Sequence, residues 1–332
     1  MSNTKEYLGY LIRGVAMGAA DVIPGVSGGT IAFITGIYEK LIGSLNAIDF
    51  QAFLLLFTLK WKKLFIKING GFLFTLAGGV FLAVFSLAKL MQFLLSNYTE
   101  ATWSFFFGLI VASIVIIVNH IKKWKPSYFV ALFIGGVIAW WLTSSSVIRT
   151  PHTSIYIYFA GVVSIVAMIL PGISGSFILV ILDKYRYIID VASGIAVGVV
   201  TMLKSLASGN IEAFKLAWGS MEIMPLIIFE LGTLTGILGF SRILNWLFTR
   251  YHNLTISVLI GFLIGSLNKI WPWKITIEWY TDRHQELQPM LQKNVLPDQM
   301  DLGFWISMVM ALVGFLLVYI MERMSRRKMD LV

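Results

Sequence analysis

Long apolar runs separated by short polar, lysine-bearing stretches set the pattern of this chain. Gly71 to Leu87, Trp103 to Val118 and Phe304 to Tyr319 contain no charged side chain. Each approaches the roughly 20 apolar residues a helix needs to cross a bilayer. The pattern predicts spans at about 70–95, 103–118 and 128–142, then again at about 223–248, 254–268 and 304–321. Trp140 and Trp141 close the third span as interface anchors.

Two apolar segments are too short and too interrupted to fit that scheme. Tyr7 to Ala20 spans fourteen residues, about 21 Å of helix against a hydrocarbon core of about 30 Å. It runs into Asp21-Val22-Ile23-Pro24-Gly25-Val26-Ser27-Gly28-Gly29-Thr30, and a second short segment then runs to Ile42. Met168-Ile169-Leu170-Pro171-Gly172-Ile173-Ser174-Gly175-Ser176 repeats the break 147 positions later, again between apolar segments. A duplicated helix break in a membrane chain is a sequence-level pointer to a transport site.

Other features recur in the same order. Tyr185 aligns with Tyr38, Phe240-Ser241 with Phe85-Ser86, and Gly261 to Ser266 with Gly108 to Ser113. The reading is an all-α integral membrane protein of two repeats, residues 1–145 and 146–332. Each repeat has a re-entrant helical hairpin, at 7–42 or 155–190, and three transmembrane helices. Asp49 to Ile68, carrying Lys60, Trp61, Lys62, Lys63 and Lys67, reads as one interfacial helix. Ile188 to Met221 reads as a mixed segment, and Trp271-Pro272-Trp273 opens a polar loop to about Asp301.

Composition agrees with a membrane chain. It is 58% hydrophobic and 13% charged, with mean hydropathy +0.81, where a soluble domain carries roughly a quarter charged residues. The net charge of +9 lies mostly in loops, as the positive-inside rule requires, so no nucleic-acid partner is expected. The chain has no cysteine, which excludes disulfides and thiolate metal sites. Its four histidines are scattered, and neither a metal nor a cofactor is expected. Arg13 interrupts the run before Ala16 to Ala20, so the first segment reads as uncleaved. With the lysines of 60–67 and 122–125 and the C-terminal arginines inside, both termini are predicted cytoplasmic. Each half then has an odd number of crossings, so the two repeats are inverted.

The breaks carry the candidate chemistry. Pro24 and Gly25, like Pro171 and Gly172, stop a helix, and the non-helical backbone there needs protein or water to satisfy it. The residues that follow, Ser27, Gly28, Gly29 and Thr30 in one copy and Ser174, Gly175 and Ser176 in the other, open the next helix. Such N–H groups favour an anion, and phosphate oxygens suit them. Neither copy has the ending of a Walker loop. The plainer alternative is a tight turn with serine caps.

Arg13, a bidentate phosphate binder by chemistry, either contacts the anion or snorkels to the interface. Asp21 and Glu230 are the candidates for coupling to a proton or sodium ion. Capping and interhelical hydrogen bonding are their structural alternatives.

Arg13-Gly14, Met17-Gly18, Asp21, Pro24 to Thr30, Pro171 to Gly175 and Trp271-Pro272-Trp273 together resemble the polyprenyl-phosphate transporter family, a bacterial and archaeal membrane family. The resemblance covers nearly the whole chain. Ser176 and Phe177 depart from it, standing where the first copy has Gly29 and Thr30. It implies a flippase of the cytoplasmic membrane, not an enzyme, that returns undecaprenyl phosphate or a related lipid from the outer to the inner leaflet for carrier recycling. The residues alone reach only an inverted-repeat transporter with an anion-favouring midplane. A secondary transporter of a small soluble anion is the alternative.

Overall fold

The computed structural model describes residues 2–21, 27–119, 121–145, 148–281, 287–297 and 299–329. The break residues Pro24 and Gly25 lie outside that set. The chain falls into two compact units. One holds residues 1–146, 168–174 and 241–332, and the other holds 147–167 and 175–240.

The first unit opens with α1 (Ser2–Asp21), α2 (Gly28–Ile34), α3 (Tyr38–Asn46), α4 (Phe50–Phe57) and α5 (Trp61–Lys67). Three long helices follow: α6 (Gly70–Asn97), α7 (Thr99–Val118) and α8 (Pro126–Ser144). The second unit contains α9 (Ser154–Ile169) up to Ala167, then α10 (Gly175–Ile181), α11 (Tyr185–Ala207) and α12 (Ile211–Gly219). α13 (Ile223–Ser266) begins in that unit and finishes in the first, which also holds β1 (Lys274–Thr281), β2 (Leu287–Asn294) and α14 (Leu302–Met329). Among the described residues six helices are long and apolar enough to cross a membrane. The chain is a mostly helical, multi-pass membrane protein.

Glycine decides where helices meet. A Cβ on Gly14 of α1 would lie 2.2 Å from the Leu76 carbonyl oxygen of α6, and one on Gly79 would lie 2.3 Å from that of Leu11. In the second unit, Gly161 of α9 sits equally close to Phe229 of α13, and Gly232 to Tyr158. Small residues let the backbones approach to a distance that strengthens packing where no hydrophobic force acts between helices.

Two further pairs in the first unit match in detail. Gly108 of α7 presses on Ala311 of α14 and Gly314 on Phe105; Gly261 of α13 presses on Leu132 of α8 and Gly135 on Val258. One shift of 153 takes Phe105 and Gly108 to Val258 and Gly261, and one shift of 179 takes Leu132 and Gly135 to Ala311 and Gly314. α13 also leaves helical angles at Tyr251 (φ −134°, ψ 45°), 153 positions after Tyr98 (φ −135°, ψ 47°), which separates α6 from α7. Thr102 and Thr255 each return a hydroxyl to the carbonyl of that tyrosine.

Several expectations about the connecting segments differ from the structure. The interfacial segment 49–68 is two short helices, parted near Leu59, whose φ of 53° is left-handed. α3 and α4 are bent by 63°. Asp49 starts α4 by accepting from Ala52 N at 2.9 Å, and its carboxylate is held by Lys67 at 2.7 Å. The mixed segment 188–221 is instead helical: α11, a continuous helix of 23 residues, begins at Tyr185, inside the hairpin expected at 155–190, and runs to Ala207, and α12 follows. Gly194, Ile195 and Ala196 stand where the first half has Ala47, Ile48 and Asp49, so nothing there caps a new helix. The polar loop contains an antiparallel hairpin, β1 with β2, in which Lys274 faces Asn294. Lys274 Nζ lies 4.2 Å over the Trp103 ring. Burial and the neighbouring Lys269 push that ammonium down to about 7.

Candidate functional site

The first break is built from both sides. α1 ends at Asp21, and Ser27, in extended conformation, caps α2 by accepting from Gly29 N at 3.1 Å. Asp21 Oδ1 accepts from Gly28 N at 2.6 Å. A carboxylate at a helix N-terminus satisfies an orphan donor and favours the dipole. A Cβ on Gly28 would lie 2.5 Å from Asp21 Oδ2, so a side chain there would displace the carboxylate from this bond.

The short helix that follows is stopped by a left-handed Gly36 (φ 70°), with Ile37 N donating to Ala32 O at 3.0 Å and Gly36 N to Phe33 O at 3.2 Å. This is a Schellman ending. α10 ends the same way. Asp183 (φ 55°) takes the place of Gly36, Lys184 N donates to Leu179 O at 2.8 Å, and Asp183 N donates to Val180 O at 3.0 Å. Every position in that ending lies 147 residues after its partner.

The tips of the two breaks touch. Ser27 Oγ donates to Met168 O at 3.0 Å, and Thr30 Oγ1 accepts from Gly172 N at 2.8 Å. Gly29 packs so closely that a Cβ would lie 2.7 Å from Ile169 O and 2.8 Å from Met168 O. Gly172 holds φ 89°, and its Cβ position is filled by Phe262 O and Ser266 Oγ, each 2.8 Å away. That combination of angle and crowding excludes every side chain. Pro171, Gly172, Ile173, Ser174 and Gly175 are all buried, while Ser176 is half-buried. Ser174 and Ser176 both have interaction partners.

Tyr38 completes the contact, and sequence reasoning passed over it as a site residue. It is 2% exposed, and its hydroxyl donates to Ile169 O at 3.1 Å. Its ring is wedged between Phe33 and Phe248. The available signal was its alignment with Tyr185, which is exposed in the second copy.

The charged candidates do not all converge. Asp21 adjoins the break. Arg13 is half-buried, without a hydrogen-bond or ion-pair partner among the described residues. Its Nη1 lies 3.9 Å from the Cβ position of Gly9, so the side chain runs back along α1, away from the break. Glu230 is exposed on α13 in the second unit, two residues before the Gly232 contact with α9.

The site is thus a seam of hydroxyls, amide N–H groups and carbonyl oxygens, closed on itself inside apolar surroundings. Such a seam accommodates a ligand oxygen only by exchanging one hydrogen bond for another.

The family model described as undecaprenyl phosphate translocase-like matches residues 17–288, which include both breaks. A curated protein of Vibrio cholerae serotype O1, named polyprenyl-phosphate transporter, is 40% identical over 299 residues, covering 89% of this chain and 87% of its own length. One of Staphylococcus aureus with the same name is 28% identical over 274 residues, covering 79% and 85%. No solved structure matches significantly. With the duplicated break, the seam between its copies and the model match all on the same residues, the chain belongs to the undecaprenyl phosphate translocase-like family.

Proposed function

We propose that this protein is a flippase that carries undecaprenyl phosphate, or a related polyprenyl phosphate, from the outer to the inner leaflet of a bacterial cytoplasmic membrane. The observation that carries the reading is the seam: Ser27 and Thr30 of one break bond Met168 and Gly172 of the other. When the tips part, Ser27, Thr30, Ser174, Ser176 and the N–H groups of Gly28, Gly29 and Gly175 become available to phosphate oxygens. Arg13, on a long flexible side chain, meets the head group at the mouth of the first hairpin. The prenyl tail stays in lipid throughout. Asp21, and Glu230 in the second unit, couple the cycle to a proton or sodium ion. Names given to the two curated relatives support the substrate.

Alternation between leaflets follows from two inverted repeats, each a re-entrant hairpin with three transmembrane helices. Support comes from the matched endings of α2 and α10, the matched breaks at Tyr98 and Tyr251, and the reciprocal glycine pairs. Both termini lie in the cytoplasm by the charge rule.

The chain lacks cysteine, so paired cysteines report cleanly. In liposomes with a leaflet-specific probe for undecaprenyl phosphate, wild type moves the lipid. A short thiol-cleavable cross-linker between Ser27→Cys and Leu170→Cys stops movement, and reduction restores it. Undiminished flipping with the tips cross-linked sinks the parting mechanism. No flipping by wild type sinks the function itself.

A further inference from the structure

One ring beyond the seam, where Phe248 lies between Tyr38 and His252, the loop before α8 and the Tyr251 break in α13 line an open groove of about 360 Å³. Lys125, Arg250 and His252 line it, together with Ser127, Tyr128 and Asn253. Lys125 and Arg250 have no ion-pair partner among the described residues. The acid recorded next to the groove is Glu39, whose Oε1 lies 3.0 Å from His252 Nε2.

This cation set is not a general property of such a break. Tyr98 has the same backbone angles, yet its neighbours are Asn97, Thr99 and Glu100, with Asp301 ahead of α14 where Lys122 stands ahead of α8. The equivalent backbone is acidic at one place and basic at the other. Basic side chains of the groove are therefore a chosen chemistry on a shared frame.

We propose that this groove is a second phosphate subsite, which holds a membrane-anchored phosphomonoester head group between Lys125, Arg250 and His252. A phosphomonoester carries about −1.5 to −2 charges at neutral pH, whereas a phosphodiester headgroup carries a single charge. Two fixed cations and a histidine match the former better. Ser127, Tyr128 and Asn253 supply hydrogen bonds to its oxygens. Basic pockets between transmembrane helices on the cytoplasmic side are suited to lipid phosphates. The inference rests on the proposed function, for which it supplies an inner-leaflet station after the seam. His252 ties that station to α3, because an anion in the groove competes with Glu39 for the same imidazole.

The test uses the full chain in phosphatidylcholine nanodiscs, with bound lipid counted by native mass spectrometry. Wild type is expected to bind two undecaprenyl monophosphates. Lys125→Gln with Arg250→Gln should bind one, with the second weakened roughly tenfold or more, as expected for losing hydrogen bonds from charged donors. Lys125→Arg with Arg250→Lys should keep both. Phosphatidylglycerol and inorganic phosphate should each displace the second lipid only at roughly tenfold or greater excess. Two tight sites in the Gln variant overturn the proposal. So does equal competition by phosphatidylglycerol, which makes the groove a general anionic-lipid site, or by inorganic phosphate, which makes it a free-phosphate site. A wild type that flips lipid while binding one copy overturns this inference alone. One that neither binds nor flips it overturns the function as well.

Discussion

The two hairpins share a backbone but not a chemistry. α2 and α10 each run seven residues and end in the same left-handed turn with the same bonds. At matched positions, however, the first copy has Arg13, Asp21, Gly29 and Thr30, and the second has Ala160, Met168, Ser176 and Phe177. The second has its own cation, Lys184, where the first has Ile37. The two short helices thus share a frame, and the side chains on it differ. The first copy supplies charge and close approach, while the second supplies the backbone against which it closes.

The sharpest way to break this comparison is to exchange the matched residues at the point of closest approach. Gly29→Ser copies the second hairpin into the first. Its Cβ meets carbonyl oxygens at 2.7 and 2.8 Å, and no side-chain rotation relieves a clash with backbone. Overpacking of this kind costs about 1–3 kcal/mol or more. We expect flipping to fall roughly tenfold or more, with a melting temperature several degrees lower in detergent. Ser176→Gly removes one hydroxyl offered to the phosphate but meets no backbone, so it should melt like wild type and lower flipping by less than Gly29→Ser does. Equal effects of the two exchanges would show that the copies are interchangeable after all.

A smaller effect separates charge from shape. Asp21→Asn keeps an oxygen to accept from Gly28 N but removes the carboxylate charge. Asp21→Ala removes both. If Asp21 couples transport to an ion, the Asn variant melts like wild type, while its flipping no longer responds to an imposed proton or sodium gradient. If Asp21 only caps α2, Asn retains the response and Ala loses about 1 kcal/mol of stability, the usual value of such a cap.

How much of this was legible follows from the same residues. Charge-free runs such as Gly71 to Leu87 announce membrane helices, because hydrocarbon tolerates so little else. The repeated Pro-Gly-aliphatic-Ser-Gly marked both sides of the seam, since a helix break needs specific residues. That the two copies touch was beyond sequence, for hydrogen bonds between the side chains of Ser27, Thr30 and Tyr38 and main-chain groups leave no pattern in the partner. Arg13 shows the opposite limit. Its depth in the hairpin was readable, but the direction of a long side chain is a matter of packing. α11 was missed because an uninterrupted helix is signalled only by the lack of a cap near Gly194, whereas Asp49 announces itself.

The smallest expected effect concerns the buried cation of the second copy. Lys184 is fully buried, and its Nζ donates to Thr150 O at 2.6 Å, to Thr150 Oγ1 and to Leu182 O at 3.4 Å. It ties residues 148–150 to the end of α10, where Ile148 N also donates to Ile181 O at 2.6 Å. Lys184→Ile restores the residue of the first copy. Removing the ammonium leaves the Thr150 carbonyl without this donor, but it also removes the cost of keeping a charge from water. The two terms oppose each other, so the net loss should be about 1 kcal/mol, or roughly 2–4 °C in melting temperature. Protease cleavage within 148–153 should quicken while flipping continues. Should Lys184→Ile instead abolish flipping in a chain that melts normally, Lys184 serves the substrate. Both hairpins would then contribute charge to it, and the division of labour drawn between them would be wrong.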